Sequence, residues 1–209
     1  MLTARALALL PALVLALSST ACGGGDGRGA RSGKRSLPTM GDHRGGDADD
    51  QRGGDADDKR GGGASFDAEE GFSVRFPAGY PEPQRTQKGL DDGVVVAYIS
   101  ASRSGVCGVT YVDGGREMRA EDPRKLISGF ESGLLGDDGE EEDGVDFKFA
   151  GAPARTMIFR KRSDDGSVTY WRVLVVVGKG KLYATAFMSP KERARWSPAV
   201  EAYLTSIEW

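Results

Sequence analysis

Two cysteines and one histidine are the residues from which the commonest nucleophilic or metal-bound sites would be built. Cys107 stands in the apolar run Gly105-Val106-Cys107-Gly108-Val109. An unpaired cysteine there is expected to be a small buried hydrophobe, since a reactive thiol needs an exposed, electropositive setting. His43 lies far away in a polar, glycine-rich stretch. No Ser-His pair, Cys-His pair or multi-histidine metal site can be assembled in the domain that follows it. Carboxylates remain: Glu69, Glu70, Asp113, Glu117 and the acidic run from Asp137 to Asp146. Paired acids do hydrolytic work when their environments split their pKa values. These acids fall in segments that read as solvated loops, so no split is expected, and neither an enzyme nor a bound cofactor or metal.

The second cysteine carries a different chemistry. Arg5 precedes an apolar run from Ala6 to Leu17. Its length suits a secretory signal and falls short of the ~20 residues that span a bilayer. Small residues then lead into Cys22, and Leu17-Ser18-Ser19-Thr20-Ala21-Cys22 resembles the lipobox of bacterial lipoproteins, with Ser19 where a leucine is usual. The resemblance implies a signal peptide over 1–21, cleaved to leave Cys22 with a diacylglycerol thioether and an N-acyl chain such as palmitate. Each buried CH₂ contributes ~0.8 kcal/mol, so two or three chains hold a protein to the membrane where one does not. The chain is then expected in the cell envelope, and Gly23, not being the aspartate of inner-membrane retention in enteric bacteria, favours the outer membrane, facing the periplasm or the cell surface. The alternative is an ordinary signal peptide cleaved after Ala21, with Cys22 an incidental thiol.

Residues 22–64 are rich in Gly, Asp and Arg and almost without aliphatic side chains. Such a segment cannot bury enough apolar area to offset its backbone entropy, which predicts a disordered linker. Within it Arg-Gly-Gly-Asp-Ala-Asp-Asp-Gln/Lys runs twice, from Arg44 and from Arg52. Asp47, Asp49 and Asp50 gather oxygens as calcium loops do. An EF-hand counted from Asp47, however, puts Gln51, Arg52 and Asp58 at positions 5, 6 and 12, where an oxygen ligand, Gly and Glu are required. The repeat therefore reads as a solvated tether. A coil of this length has an r.m.s. span of ~35 Å, reaches beyond ~100 Å when pulled, and raises the effective concentration of its domain near the membrane.

Residues 65–209, about 145 in number, suffice for one domain with one core. The formal charge of −3 gives no electrostatic case for nucleic acid. Phe72 to Phe76 alternates apolar and polar up to Pro77, predicting the first strand. A proline-containing loop follows, then a hairpin of Val94–Ile99 and Val106–Val112 with a four-residue connection. Asp122-Pro123 opens a helix whose Leu126, Ile127, Phe130 and Leu134 form a core stripe and which Gly136 ends. Asp137 to Asp146 reads as an exposed acidic loop before a short strand at Phe147 to Phe149. Strands at Thr156 to Arg162, Val168 to Val177 and Leu182 to Met188 form an antiparallel meander. Within it Val173-Leu174-Val175-Val176-Val177 is apolar on both faces and calls for covers on both. Ser189-Pro190-Lys191-Glu192 has the residue types of a capping box. Ser197-Pro198 can restart the helix, with Trp196, Val200, Tyr203, Leu204 and Ile207 as its apolar stripe.

The order of these elements, with Phe72 to Pro77, Gly151-Ala152-Pro153, Leu182-Tyr183 and Ser206-Ile207 as markers, resembles the PsbP-like superfamily over Phe66 to Trp209. The resemblance implies an α+β sandwich in which an antiparallel sheet of six to seven strands packs with two helices. Members are mostly accessory or assembly factors that bind other proteins, and no catalytic motif carries over. The leading expectation is a lipid-anchored, non-enzymatic module that binds a protein or another envelope component. The alternatives are a small-ligand or lipid carrier lined by Tyr98, Tyr111, Tyr170, Trp171 and Phe187, or a carboxylate-dependent hydrolase.

Overall fold

The valine run decides the architecture, because it must be buried on both faces at once. In the computed structural model it forms the second half of β8, Val168–Gly178, and its odd and even residues enter two separate cores. The structure describes residues 63–209; the signal segment, Cys22, the linker with His43, and the octapeptide repeats lie outside the described residues. The remaining strands are β1 Ser65–Asp67, β2 Ser73–Arg75, β3 Gln84–Leu90, β4 Gly93–Ser102, β5 Gly105–Asp113, β6 Gly139–Phe149, β7 Ala152–Arg162 and β9 Lys181–Ser189. Six of these join β8 in one seven-stranded antiparallel sheet in the order β3-β4-β5-β9-β8-β7-β6, and β1 and β2 form a separate two-stranded ribbon.

Helix α1 spans Gly115–Ala120, α2 spans Pro123–Leu135 and α3 spans Pro198–Leu204. Asp122 caps α2 as expected, its carboxylate accepting from Arg124 N at 2.9 Å, and Gly136 ends it at φ 56°. The α2 stripe covers one face, on which Val173 and Val175 meet the stacked pair Phe159–Trp171, centroids 5.4 Å apart. On the opposite face α3 and the β1–β2 ribbon roof Leu174 and Val176, so each face receives one long cover. Ser197 caps α3 through Val200 N, Pro198 follows it, and Tyr203 OH reaches Gly108 O at 2.6 Å.

Several expectations are corrected. The Phe72 strand is neither first nor part of the main sheet: it pairs with Ser65–Asp67, because the apolar residues Phe72, Val74 and Phe76 serve as a roof. The loop before Asp92 contains edge strand β3, whose Gln-Arg-Thr-Gln-Lys-Gly sequence carries no apolar period because both its faces are largely wet. The β4–β5 hairpin closes with two residues, not four, since Ser102 pairs with Gly105. The acidic run is not a loop but most of β6. No capping box forms at Ser189: its hydroxyl donates to Ser104 O and accepts from Lys191 N, and a 3₁₀ turn, Glu192–Trp196, follows without a side-chain cap. Trp196 leaves the expected stripe and stands 53% exposed.

Candidate functional site

Strand β6 holds five carboxylates within seven residues, and like charges in that density repel. Basic residues of the neighbouring elements resolve the repulsion. Arg155 on β7 sends Nη2 to Glu141 at 2.8 Å and to Glu131 of α2 at 3.2 Å, and Nη1 to Asp146 at 3.2 Å. Arg160 holds Glu140 at 2.7 Å. Arg195, only 1% exposed, donates to Glu142 at 2.6 Å and to Glu192 at 3.2 Å. Its guanidinium also lies 5.0 Å from the centre of the Tyr170 ring, a cation–π contact that offsets part of its desolvation. A register shift between Glu141 and Asp143 bends this acidic half of the strand and discourages pairing there.

One guanidinium facing three carboxylates leaves an imbalance. Burial pushes the Glu131 carboxyl above its ordinary value, the Arg155 charge pulls it back, and the proximity of Glu141 pushes it further up. Beside this group an open cleft of about 520 Å³ runs between α2 and the β6–β7 hairpin, with Arg124, Ile127 and Ser128 on one wall and Asp146, Lys148 and Pro153 on the other.

The other half of β6, Gly144–Phe149, is regular and differs in character. Val145 and Phe147 are 53% and 38% exposed. Their register partners Thr156 and Ala154 lie opposite Leu174 and Val176, which puts them on the α3 face. Trp196 occupies the same face, its ring against the guanidinium of Arg172, which is tied to Glu201 of α3. The three large apolar side chains that stand exposed among the described residues thus share one face toward one end of the sheet.

The acids read as hydrolytic candidates are dispersed. Glu70 is not in a solvated loop: it accepts from Tyr98 OH and Arg85 Nη2, each at 2.7 Å. Burial alone would raise its carboxyl, but these bonds outweigh it and hold the group below the ordinary range. Glu69 is exposed beside the same arginine. Asp113, at the end of β5, faces Lys181 and Arg119, and Glu117 lies on α1. Cys107 is fully buried and desolvation pushes its thiol up to about 12, as suits a core residue. The aromatics read as a ligand cleft divide between faces: Tyr98, Tyr111 and Phe187 belong to the core under the ribbon, Trp171 to the core under α2, and Tyr170 packs on Arg195. No common cleft joins them.

Residue spacing missed the arginine partners of the acidic run. The signal was present in the hairpin: Phe149-Ala150-Gly151-Ala152 closes a two-residue turn with φ 48° at Ala150 and 82° at Gly151, which sets Arg155 and Arg160 opposite Asp146 and Glu140.

No family model and no curated protein matches the chain. Among solved structures, cyanobacterial PsbP (CyanoP) from Synechocystis shares 14% identity at a TM-score of 0.51, over 75% of this chain and 97% of that one. PA94 of Pseudomonas aeruginosa, a protein of unknown function, shares 11% at 0.39, over 68% of this chain and 94% of its own. A Bacteroides thetaiotaomicron protein shares 10% at 0.43, over 70% of this chain and 48% of its own. The CyanoP likeness establishes the fold, an α+β sandwich of the PsbP-like type, and the fold alone.

Proposed function

We propose that this chain is a membrane-tethered, non-enzymatic accessory module of the cell envelope that binds another protein. The observation that carries the reading is the gathering of Val145, Phe147 and Trp196 on one face, rimmed by Arg172, Arg160 and the acidic strand. An apolar centre with a charged rim is the anatomy of a protein interface, and Trp and Arg are the residues most often energetic anchors there. The state of the candidate catalytic groups points the same way. Cys107 is held as a buried thiol and Glu70 as a paired carboxylate, neither poised to react. The tether comes from the lipobox-like sequence at Cys22 and the linker over 22–64.

Two measurements test the reading. The intact mass of the detergent-extracted protein from a Gram-negative host, beside a Cys22→Ala control, should begin at Cys22 with a diacylglycerol and an N-acyl chain; an unlipidated mass removes the tether. A photo-crosslinking residue at Trp196 of the full chain should give a reproducible adduct with a different protein in intact cells, and one at Lys179 should not. Equal labelling from both positions, or none from Trp196, removes the binding module.

A further inference from the structure

The regular half of β6 is an edge with no strand on its outer side among the described residues. Its sequence, Gly144-Val145-Asp146-Phe147-Lys148-Phe149, is complementary to itself. We infer that two copies of this chain join through these edges, antiparallel about a two-fold axis at Phe147, so that two seven-stranded sheets become one continuous sheet.

The register follows from charge and side-chain alternation. With Phe147 opposite its own copy, Asp146 stands opposite Lys148 of the second copy and Lys148 opposite its Asp146, giving two symmetry-related ion pairs. Val145 then meets Phe149, apolar against apolar. Moving the axis to Asp146 sets aspartate against aspartate; moving it to Lys148 sets lysine against lysine. Moving it to Val145 brings Asp143 against Phe147. A shift by half a step turns the two copies' sheet faces against each other, since opposite residues share a face. Only the Phe147 axis satisfies both charge and face.

The surroundings accommodate this pairing. Asp146 is oriented by Arg155 at 3.2 Å, whereas Lys148 has no ion pair among the described residues. The hairpin turns back at Ala150-Gly151, so the bulged Glu140–Asp143 half of each copy runs past the other's turn and the two acidic halves never face each other. Helix α2 contacts β6, β7 and β8, which places it about over β7. The two copies' β7 strands would lie three strand spacings apart, roughly 14 Å, which separates two helices of ~10 Å diameter. The other edge of the sheet offers no such match, because the charged residues of β3, Arg85 and Lys88, are both cations. Five residues paired on each side make a small interface, so the dimer is weak and concentration-dependent. The inference goes beyond the tethered-module reading and is read out on the purified chain alone, so either can fail without the other.

The test is a single cysteine on the axis. In the purified full chain, Phe147→Cys should give a disulfide-linked dimer on mild oxidation, because the two Cβ atoms lie within bridging range. Glu140→Cys should not, and the unaltered chain measures any bridge through Cys22. In sedimentation, Lys148→Glu should raise the dimer dissociation constant about tenfold, the scale of two cross-strand pairs turned from attraction to repulsion. Asp146→Lys/Lys148→Glu together should restore it, with circular dichroism confirming that each variant is folded. The inference is overturned by a chain monomeric at every concentration, by Glu140→Cys bridging as readily as Phe147→Cys, or by a double swap no better than the single. Bridging of Phe147→Cys only to a cysteine placed on β3 would also overturn it, by showing head-to-tail assembly.

Discussion

The two ends of the sheet solve the same problem in opposite ways. At the β3–β4 end the α3 face is roofed by the β1–β2 ribbon. Phe72 sits among Tyr98, Tyr111 and Tyr183 at centroid distances near 6 Å, and one arginine, Arg85, satisfies one covered glutamate, Glu70. At the β6 end Val145 and Phe147 of the same face stand exposed, and on the other face one arginine, Arg155, is shared by three carboxylates. The first end is balanced and closed; the second is charge-heavy and open. Closure needs a local surplus of apolar side chains and one counter-charge per buried acid, and β6 has neither. It is on this surface that the proposed binding of a partner rests.

The comparison is broken most directly through the roof. Phe72→Ala removes a 3%-exposed ring from among three tyrosines, and should cost about 3–5 kcal/mol of unfolding free energy by the large-to-small rule. Chemical denaturation of the full chain checks it. A loss below about 1 kcal/mol would show that the ribbon does not seal the sheet. Next in size is Glu70→Gln, which leaves Tyr98 and Arg85 without a charged acceptor and should cost about 1–2 kcal/mol at pH 7. Because the folded carboxyl lies below its ordinary 4.5, its contribution is present above that value and fades as pH falls through the folded pKa. The variant and the parent should therefore converge in acid.

The middle of the fold is legible in the sequence, whereas the contrast between its ends is not. The α2 cap at Asp122-Pro123, its stripe, the meander and the two-faced valine run all follow from apolar period and turn chemistry, because burial decides those segments. The edges were not legible for the same reason: β3 and the acidic part of β6 bury almost nothing, so no period marks them, and their strand state is imposed by backbone pairing with β4 and β7. Glu70 looked like a loop acid because its partners lie 15 and 28 residues away. The Arg155 cluster was hidden similarly, since the helix glutamate it binds, Glu131, is distant in sequence. Trp196 has helical spacing with Val200 and Tyr203 yet stays outside, because Ser197-Pro198 breaks the helix before the stripe can include it.

The arginine imbalance gives a prediction opposite in sign to Glu70→Gln. Glu131 is pushed up chiefly by burial and also by Glu141, against the pull of Arg155. A group with a raised folded pKa favours the fold fully below its unfolded value, and that contribution is lost as pH rises through the folded value. Glu131→Gln, which cannot ionise, keeps it. The variant should be more stable than the parent at pH 7 and no different near pH 3. Paired thermal melts at the two pH values decide it. A destabilised variant at pH 7 would mean that the Glu131–Arg155 pair outweighs the repulsion, making this end as balanced as the other.

The smallest effect tests openness itself. Val145→Thr exchanges a methyl for a hydroxyl on a half-exposed, β-branched residue, so strand preference is kept and little buried apolar area is lost. Its cross-strand neighbour is Thr156, with which a threonine can form a favourable pair. Stability should therefore move by less than about 0.5 kcal/mol, the range of ordinary surface substitutions. A loss of ~2 kcal/mol would show that Val145 is covered in the chain as it folds, by its own linker or by a second copy. Dilution separates those two: a cover from within the chain leaves the loss independent of concentration, whereas a cover from another copy makes it shrink as the chain is diluted.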